Sequence, residues 1–127
     1  MMPAESPTPT ILVVEDDTDT RKFIVMLLDL AGYQTREAAS GAAALHTLAA
    51  HPVHAITLDL RLPDLDGLAV CRHLRATGYP ELPIILITAD RTPHLARDAT
   101  AAGVTAVIEK PFPPHALLEQ LTQLLPV

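Results

Sequence analysis

Hydrophobic and polar positions along the chain alternate between two textures. Short β-branched runs occupy Ile11–Val14, His54–Leu58, Ile84–Thr88 and Thr105–Ile108, with a weaker one near Tyr33–Arg36. Each has strand length. Three are nearly apolar throughout, the mark of strands covered on both faces of a parallel sheet. The segments between them carry helical spacing. Phe23, Ile24, Leu27, Leu28 and Ala31 make one face of a first helix, with Arg21, Lys22 and Asp29 off it. Leu117, Leu118, Leu121, Leu124 and Leu125 make the face of a last one, and the Ala-rich stretch from Gly41 to Ala50 reads as another helix. Gly32, Gly78 and Gly103 stand where helices stop. Ser40 and Asp66 stand as N-caps, and Pro93 after Thr92 reads as a first-turn proline. The pattern is β-α five times over, which predicts a doubly wound α/β sheet with right-handed crossovers. Residues 1–9, with three prolines and no apolar run, read as a loosely tethered tail ahead of one domain over 10–125.

Composition narrows the classes. A chain of 127 residues that is 49% hydrophobic can bury a real core. Nine Lys+Arg against fifteen Asp+Glu give a net charge of -6, which argues against nucleic acid as a direct partner and against an anchor on a membrane surface. No run approaches the ~18 apolar residues of a membrane span. The opening MMPAESPTPT lacks the basic and apolar regions of a secretory signal. The single cysteine, Cys71, rules out an internal disulfide and a Cys-rich zinc site. A cytoplasmic domain is expected, and Met1 favours a first place in its gene product. Whether an output domain follows stays open.

In an open parallel sheet, ligands bind beyond the carboxyl ends of the strands. The first strand runs into Glu15, Asp16 and Asp17, the third into Asp59, and the fifth into Lys110 and Pro111, while the fourth ends at Thr88. The second runs into Glu37 and alanines, which carry little signal. Converging carboxylates repel one another, and a hard divalent cation such as Mg²⁺ relieves that repulsion. A carboxylate beside it can attack phosphorus to give an acyl phosphate, with Lys110 and Thr88 binding the phosphoryl oxygens. Pro111 disfavours helical geometry at Lys110, and the bond between them is open to the cis form. Asp17, Asp19 and Asp64 read as helix caps or solvated turns. The six histidines (His46, His51, His54, His73, His94, His115) show no ligand spacing and read as surface residues. Cys71, in step with Leu68 and Leu74, reads as a small buried hydrophobe. Gly-rich phosphate loops and the G-x-S-x-G elbow are absent.

The runs Ile11 to Asp17, Leu58 to Gly67, Ile87-Thr-Ala89 and Glu109-Lys-Pro-Phe112, in this order and spacing, resemble the receiver domain of two-component response regulators. The resemblance covers about residues 10–125. It implies a flavodoxin-like, CheY-like sheet of strand order 2-1-3-4-5 with five helices. It implies that Asp59 accepts a phosphoryl group from a sensor histidine kinase or phosphotransfer protein. Glu15, Asp16, Asp59 and the main-chain carbonyl of Arg61 would then hold Mg²⁺, with Thr88 and Lys110 on the phosphoryl oxygens. The turn from Pro63 to Gly67 would close the site loop, with Asp66 capping the next helix. Such a module regulates a downstream domain or partner protein and catalyses only its own phosphorylation and dephosphorylation. A homodimer through the fourth helix, fifth strand and fifth helix is a further implication. Two positions depart from the family: Val107 stands where an aromatic is usual, and Glu15 where Asp is commoner. Arg61 and Asp90 flank the site where the family varies. Two rivals remain: an interaction module that is never phosphorylated, which Val107 favours, and a metal-dependent phosphohydrolase, which has no lid or second domain to enclose a substrate.

Overall fold

The computed structural model describes residues 8–125. Ten elements alternate: β1 (Thr10–Val14), α1 (Thr18–Leu30), β2 (Gln34–Ala38), α2 (Gly41–Ala50), β3 (Ala55–Leu58), α3 (Gly67–Ala76), β4 (Ile84–Thr88), α4 (Leu95–Ala102), β5 (Ala106–Glu109) and α5 (Pro114–Leu124). The strands form one parallel sheet in the order β2-β1-β3-β4-β5. This is the arrangement the resemblance implies. Most of the tail, residues 1–7, lies outside the described residues.

Successive strand side chains face opposite sides of a sheet, and here that alternation builds two cores. Leu12, Val14, Ile56, Leu58, Ile84 and Leu86 pack against Leu48 of α2, Leu68, Cys71 and Leu74 of α3, and Ala99 and Ala102 of α4. Ile11, Val13, Ala55, Ile85 and Ile87 pack on the other side against Ile24 and Leu28 of α1 and Leu117 and Leu121 of α5. The central strands are apolar but for Thr10, Thr57 and Thr88 because both faces are covered. Cys71 is fully buried with its thiol directed at the Ala102 carbonyl, as a small core hydrophobe should be. Ser40 and Asp66 cap α2 and α3 through their side chains, and Gly32, Gly78 and Gly103 take positive φ.

Five local readings differ from the structure, the first being the second strand, read near Tyr33–Arg36 and observed over Gln34–Ala38, with Glu37 inside it. The Thr105 hydroxyl accepts from the Ile84 amide at 2.9 Å, taking the place of a ladder bond, so β5 starts one residue later than its apolar run. His54 is likewise left outside β3, its ring accepting from the Thr10 amide at 3.0 Å. Thr92 does not open α4: its amide and hydroxyl both donate to Asp90, and one turn through Pro93 precedes the helix at Leu95. Phe23 on α1 and Ala31 at its C-cap lie off the buried stripe; Phe23 is 38% exposed and leans on Phe112, ring centroids 6.1 Å apart.

Thr57, on β3, is 1% exposed, and among the described residues its hydroxyl is a buried side-chain polar atom without a hydrogen-bond partner. An unpaired buried hydroxyl costs on the order of 1–2 kcal/mol relative to a methyl of the same shape. Thr57→Val is therefore expected to raise the unfolding free energy by about 1 kcal/mol. Urea titration checks it; a variant less stable than the parent would mean that the hydroxyl is satisfied.

Candidate functional site

Three charged side chains of the site, Glu15, Asp59 and Lys110, stand one residue beyond a strand, with their amides continuing the ladder. Glu15 N–H donates to Ala38 O at 3.0 Å, Asp59 N–H to Val14 O at 3.1 Å, and Lys110 N–H to Thr88 O at 2.9 Å. The strand ends thereby hold the backbone of all three in register. β1 lies between β2 and β3, with α1 on one face and α2 and α3 on the other. Glu15 and Asp59 thus flank the crevice where the winding reverses, the usual ligand position in such sheets.

The side chains converge as the sequence order suggests. Lys110 Nζ donates to Glu15 Oε2 at 2.9 Å and to Asp59 Oδ2 at 3.4 Å. One oxygen each of Glu15, Asp16 and Asp59 lies within 4.8 Å of the others. Glu15 is 3% exposed, Asp59 9% and Thr88 1%, whereas Asp16 is open to solvent. Asp59, Arg61, Thr88, Ala89, Asp90 and Lys110 line one cleft of about 390 Å³. The Arg61 amide donates to Asp59 Oδ1 at 3.2 Å, and the Asp90 amide to the Thr88 hydroxyl at 3.0 Å. The Lys110–Pro111 bond is cis.

Three carboxylates face one ammonium, and the charges feel it. Burial pushes the Glu15 carboxyl up; the hydrogen bond from Lys110 opposes this, and the Asp59 charge adds to it. Burial works against the Lys110 charge, but the Glu15 hydrogen bond and the Asp59 and Glu15 charges outweigh it, so its pKa lies above the ordinary lysine value. A cluster made of carboxylate oxygens with excess negative charge has the donor chemistry of a hard divalent-cation site.

Several contributors carried no signal in the sequence. Arg21, one turn into α1, donates to the carbonyl of Glu15 at 2.8 Å and pairs with Glu37 at 3.0 Å, where Lys22 also binds. Glu37, silent as a residue, thus anchors the clamp on the acidic loop. Asp64 accepts from the amides of Gly41 and Ala42 at 2.8 and 2.9 Å, capping α2 from the loop after β3 and ending up below the ordinary carboxyl pKa. Asp17 is the N-cap of α1, as expected. All six histidines are exposed.

The family model described as the response regulator receiver domain matches residues 11–122. The chain belongs to that family. A curated relative, response regulator MprA of Mycobacterium sp. (strain KMS), is 38% identical over 115 residues, covering 91% of this chain and 50% of its own length. The receiver chain spans about half the length of the curated relatives it matches. Among solved structures, the Vibrio cholerae chemotaxis protein CheY4 matches with a TM-score of 0.88 at 28% identity, covering 94% of this chain and 100% of its own. A sensor protein from Polaromonas sp. JS666 matches with a TM-score of 0.85 at 33% identity, covering 92% and 95%.

Receiver domains work in phosphorelay signalling and catalyse only their own phosphorylation and dephosphorylation, and the acidic cluster of this receiver is positioned as in CheY-type sites. The turn after β3 holds the site loop: Gly67 N–H donates to Leu60 O at 2.7 Å, and Asp66 caps α3 through the Leu68 amide. Val107 is 39% exposed on β5, beside a groove of about 170 Å³ lined by Asp90, Thr92, Leu95 and Glu109. Among the described residues no helix is long and apolar enough to cross a membrane.

Proposed function

We propose that Asp59 is the phosphoacceptor of this receiver, within a unit spanning residues 10–125. The observation that supports it most is the meeting of Asp59 with Glu15 and Lys110 beyond three strand ends. A carboxylate oxygen of Asp59 attacks the phosphorus of a phosphohistidine, the P–N bond breaks, and the imidazole leaves with its electron pair and takes a proton. The product is an acyl phosphate on Asp59. Glu15, Asp16, Asp59 and the Arg61 carbonyl would hold Mg²⁺, which when bound neutralises charge on the carboxylates and the incoming phosphoryl oxygens. Lys110 pairs with one phosphoryl oxygen and Thr88 donates its hydroxyl to another, so charge neutralisation and positioning carry the transfer. The donor is a sensor kinase or phosphotransfer protein. The recipient of the signal is a downstream domain or partner, met through the face of α4, β5 and α5, where a second copy would also dock.

Incubation with Mg²⁺ and acetyl phosphate, read by intact mass, is expected to add one phosphoryl group to the parent and none to Asp59→Asn. An adduct on Asp59→Asn would move the acceptor elsewhere. A folded parent that stays unmodified, with acetyl phosphate and with a partner kinase, would favour the unphosphorylated interaction module.

A further inference from the structure

Arg61 and Asp90 meet across the cleft that holds Asp59, Thr88 and Lys110. Arg61 Nη2 lies 2.8 Å from Asp90 Oδ2, bridging the loop after β3 to the loop after β4. The two partners are unequal. The Asp90 side chain is 11% exposed, and its other oxygen, Oδ1, accepts from the Thr92 amide at 2.8 Å and from the Thr92 hydroxyl. The Arg61 side chain is 79% exposed and holds Asp90 through a single nitrogen. Its own amide, however, is tied to Asp59 Oδ1, so its root is fixed beside the acceptor.

We infer that Arg61 and Asp90 form an exchange latch: at rest Arg61 holds Asp90 and the turn into α4, and a phosphoryl group on Asp59 takes Arg61 over. The inference rests on Asp59 being the acceptor. A single-contact pair exposed on one side binds weakly. A phosphoryl group brings ~-1.5 to -2 charges and three acceptor oxygens into the same cleft, a better match for a planar guanidinium than one carboxylate oxygen. When Arg61 leaves, the Asp90 carboxylate loses one of its two anchors, and the Thr92 amide that it holds is loosened at the entrance to α4. The route matters because Val107 leaves this receiver without an aromatic ring beside the α4 groove, and Asp90 and Thr92 line that groove.

Amide hydrogen exchange on the parent and on Arg61→Gln, each with and without acetyl phosphate and Mg²⁺, tests the latch. Adduct formation is followed by intact mass. Arg61 is exposed enough for the variant to fold, and core β1 amides serve as the control for that. In the parent, phosphorylation should speed exchange at Thr92 by roughly threefold to fivefold, the size set by one exposed ion pair. In Arg61→Gln, Thr92 should exchange at the faster rate before any phosphoryl group is added, and phosphorylation should add little. Equal resting rates in the two proteins, or a Thr92 rate unmoved by phosphorylation of the parent, would overturn the latch while leaving the acceptor in place. A folded parent that forms no adduct with acetyl phosphate or with a partner kinase would overturn both readings together.

Discussion

Gly67→Ala is expected to cost about 3 kcal/mol of stability, although alanine is the better helix former. A Cβ at this position would lie 2.3 Å from the Asp59 carbonyl oxygen and 2.9 Å from Leu60 Cα. Both are backbone atoms, and neither can swing aside. The loop is closed on itself there, with the Gly67 amide on Leu60 O and an antiparallel bridge between Arg61 and Asp66. Relief of the clash must therefore shift the segment that carries Asp59. The helix-propensity gain of at most about 1 kcal/mol at the first residue of α3 is too small to offset it. Gly41 supplies the comparison. A Cβ there would approach Leu65 Cδ1 at 2.7 Å, the end of a side chain that can rotate. Urea unfolding should place Gly67→Ala well below Gly41→Ala, and the yield of phosphorylated protein should fall with it. Equal stability for the two variants would mean that the loop after β3 yields easily.

Much of this architecture was legible because it depends on period and position. Strand runs bounded by glycines, caps and prolines define five β-α units, and the chemistry-bearing residues follow the strands directly. Glu15, Asp59 and Lys110 fall into one group in the sequence because a parallel sheet brings all its carboxyl ends to one rim. What escaped the sequence is tertiary. Glu37 has no neighbour in sequence to explain it, and its role exists only because α1 lays Arg21 and Lys22 over the end of β2. Asp64 reads as a helix cap or a solvated turn, and the helix it caps begins 23 positions earlier, beyond the reach of any local pattern. Thr92 before Pro93 has the form of a helix start, but Asp90 competes for both of its donors and delays the helix. Arg75 lies in the last turn of α3. In the fold it donates to Gly103 O twice, at 3.0 and 2.8 Å, and to Tyr79 O at 2.8 Å, stitching the ends of α3 and α4 together. Short polar side chains that choose among several partners are what local patterns cannot resolve.

Lys110→Met should leave the carboxylates of the site unopposed and make stability depend on Mg²⁺. The ammonium now sits 2.9 Å from Glu15 and 3.4 Å from Asp59. Without it, two nearly buried carboxylates within 4.8 Å of each other repel by on the order of 3 kcal/mol at an effective dielectric near 20. A loss of about 2–3 kcal/mol in the absence of divalent cations follows, the lower end of what breaking a buried pair costs, because Lys110 keeps some contact with water. Mg²⁺ should restore most of it, and the rise in Tm on adding Mg²⁺ should be larger for the variant than for the parent. By linkage the variant binds the cation more tightly, since the competing positive charge is gone. The pH dependence has a definite sign. The Glu15 carboxyl already stands above its ordinary value through burial, and losing the Lys110 hydrogen bond raises it further. A raised carboxyl favours the folded chain fully below its unfolded pKa, and that support is lost as pH rises through the folded value. The deficit of Lys110→Met without Mg²⁺ should accordingly shrink between about pH 7.5 and pH 5. Thermal melts at both pH values, with and without Mg²⁺, read all of this. Equal Mg²⁺ shifts for variant and parent would show that ammonium and cation do not share the same carboxylates.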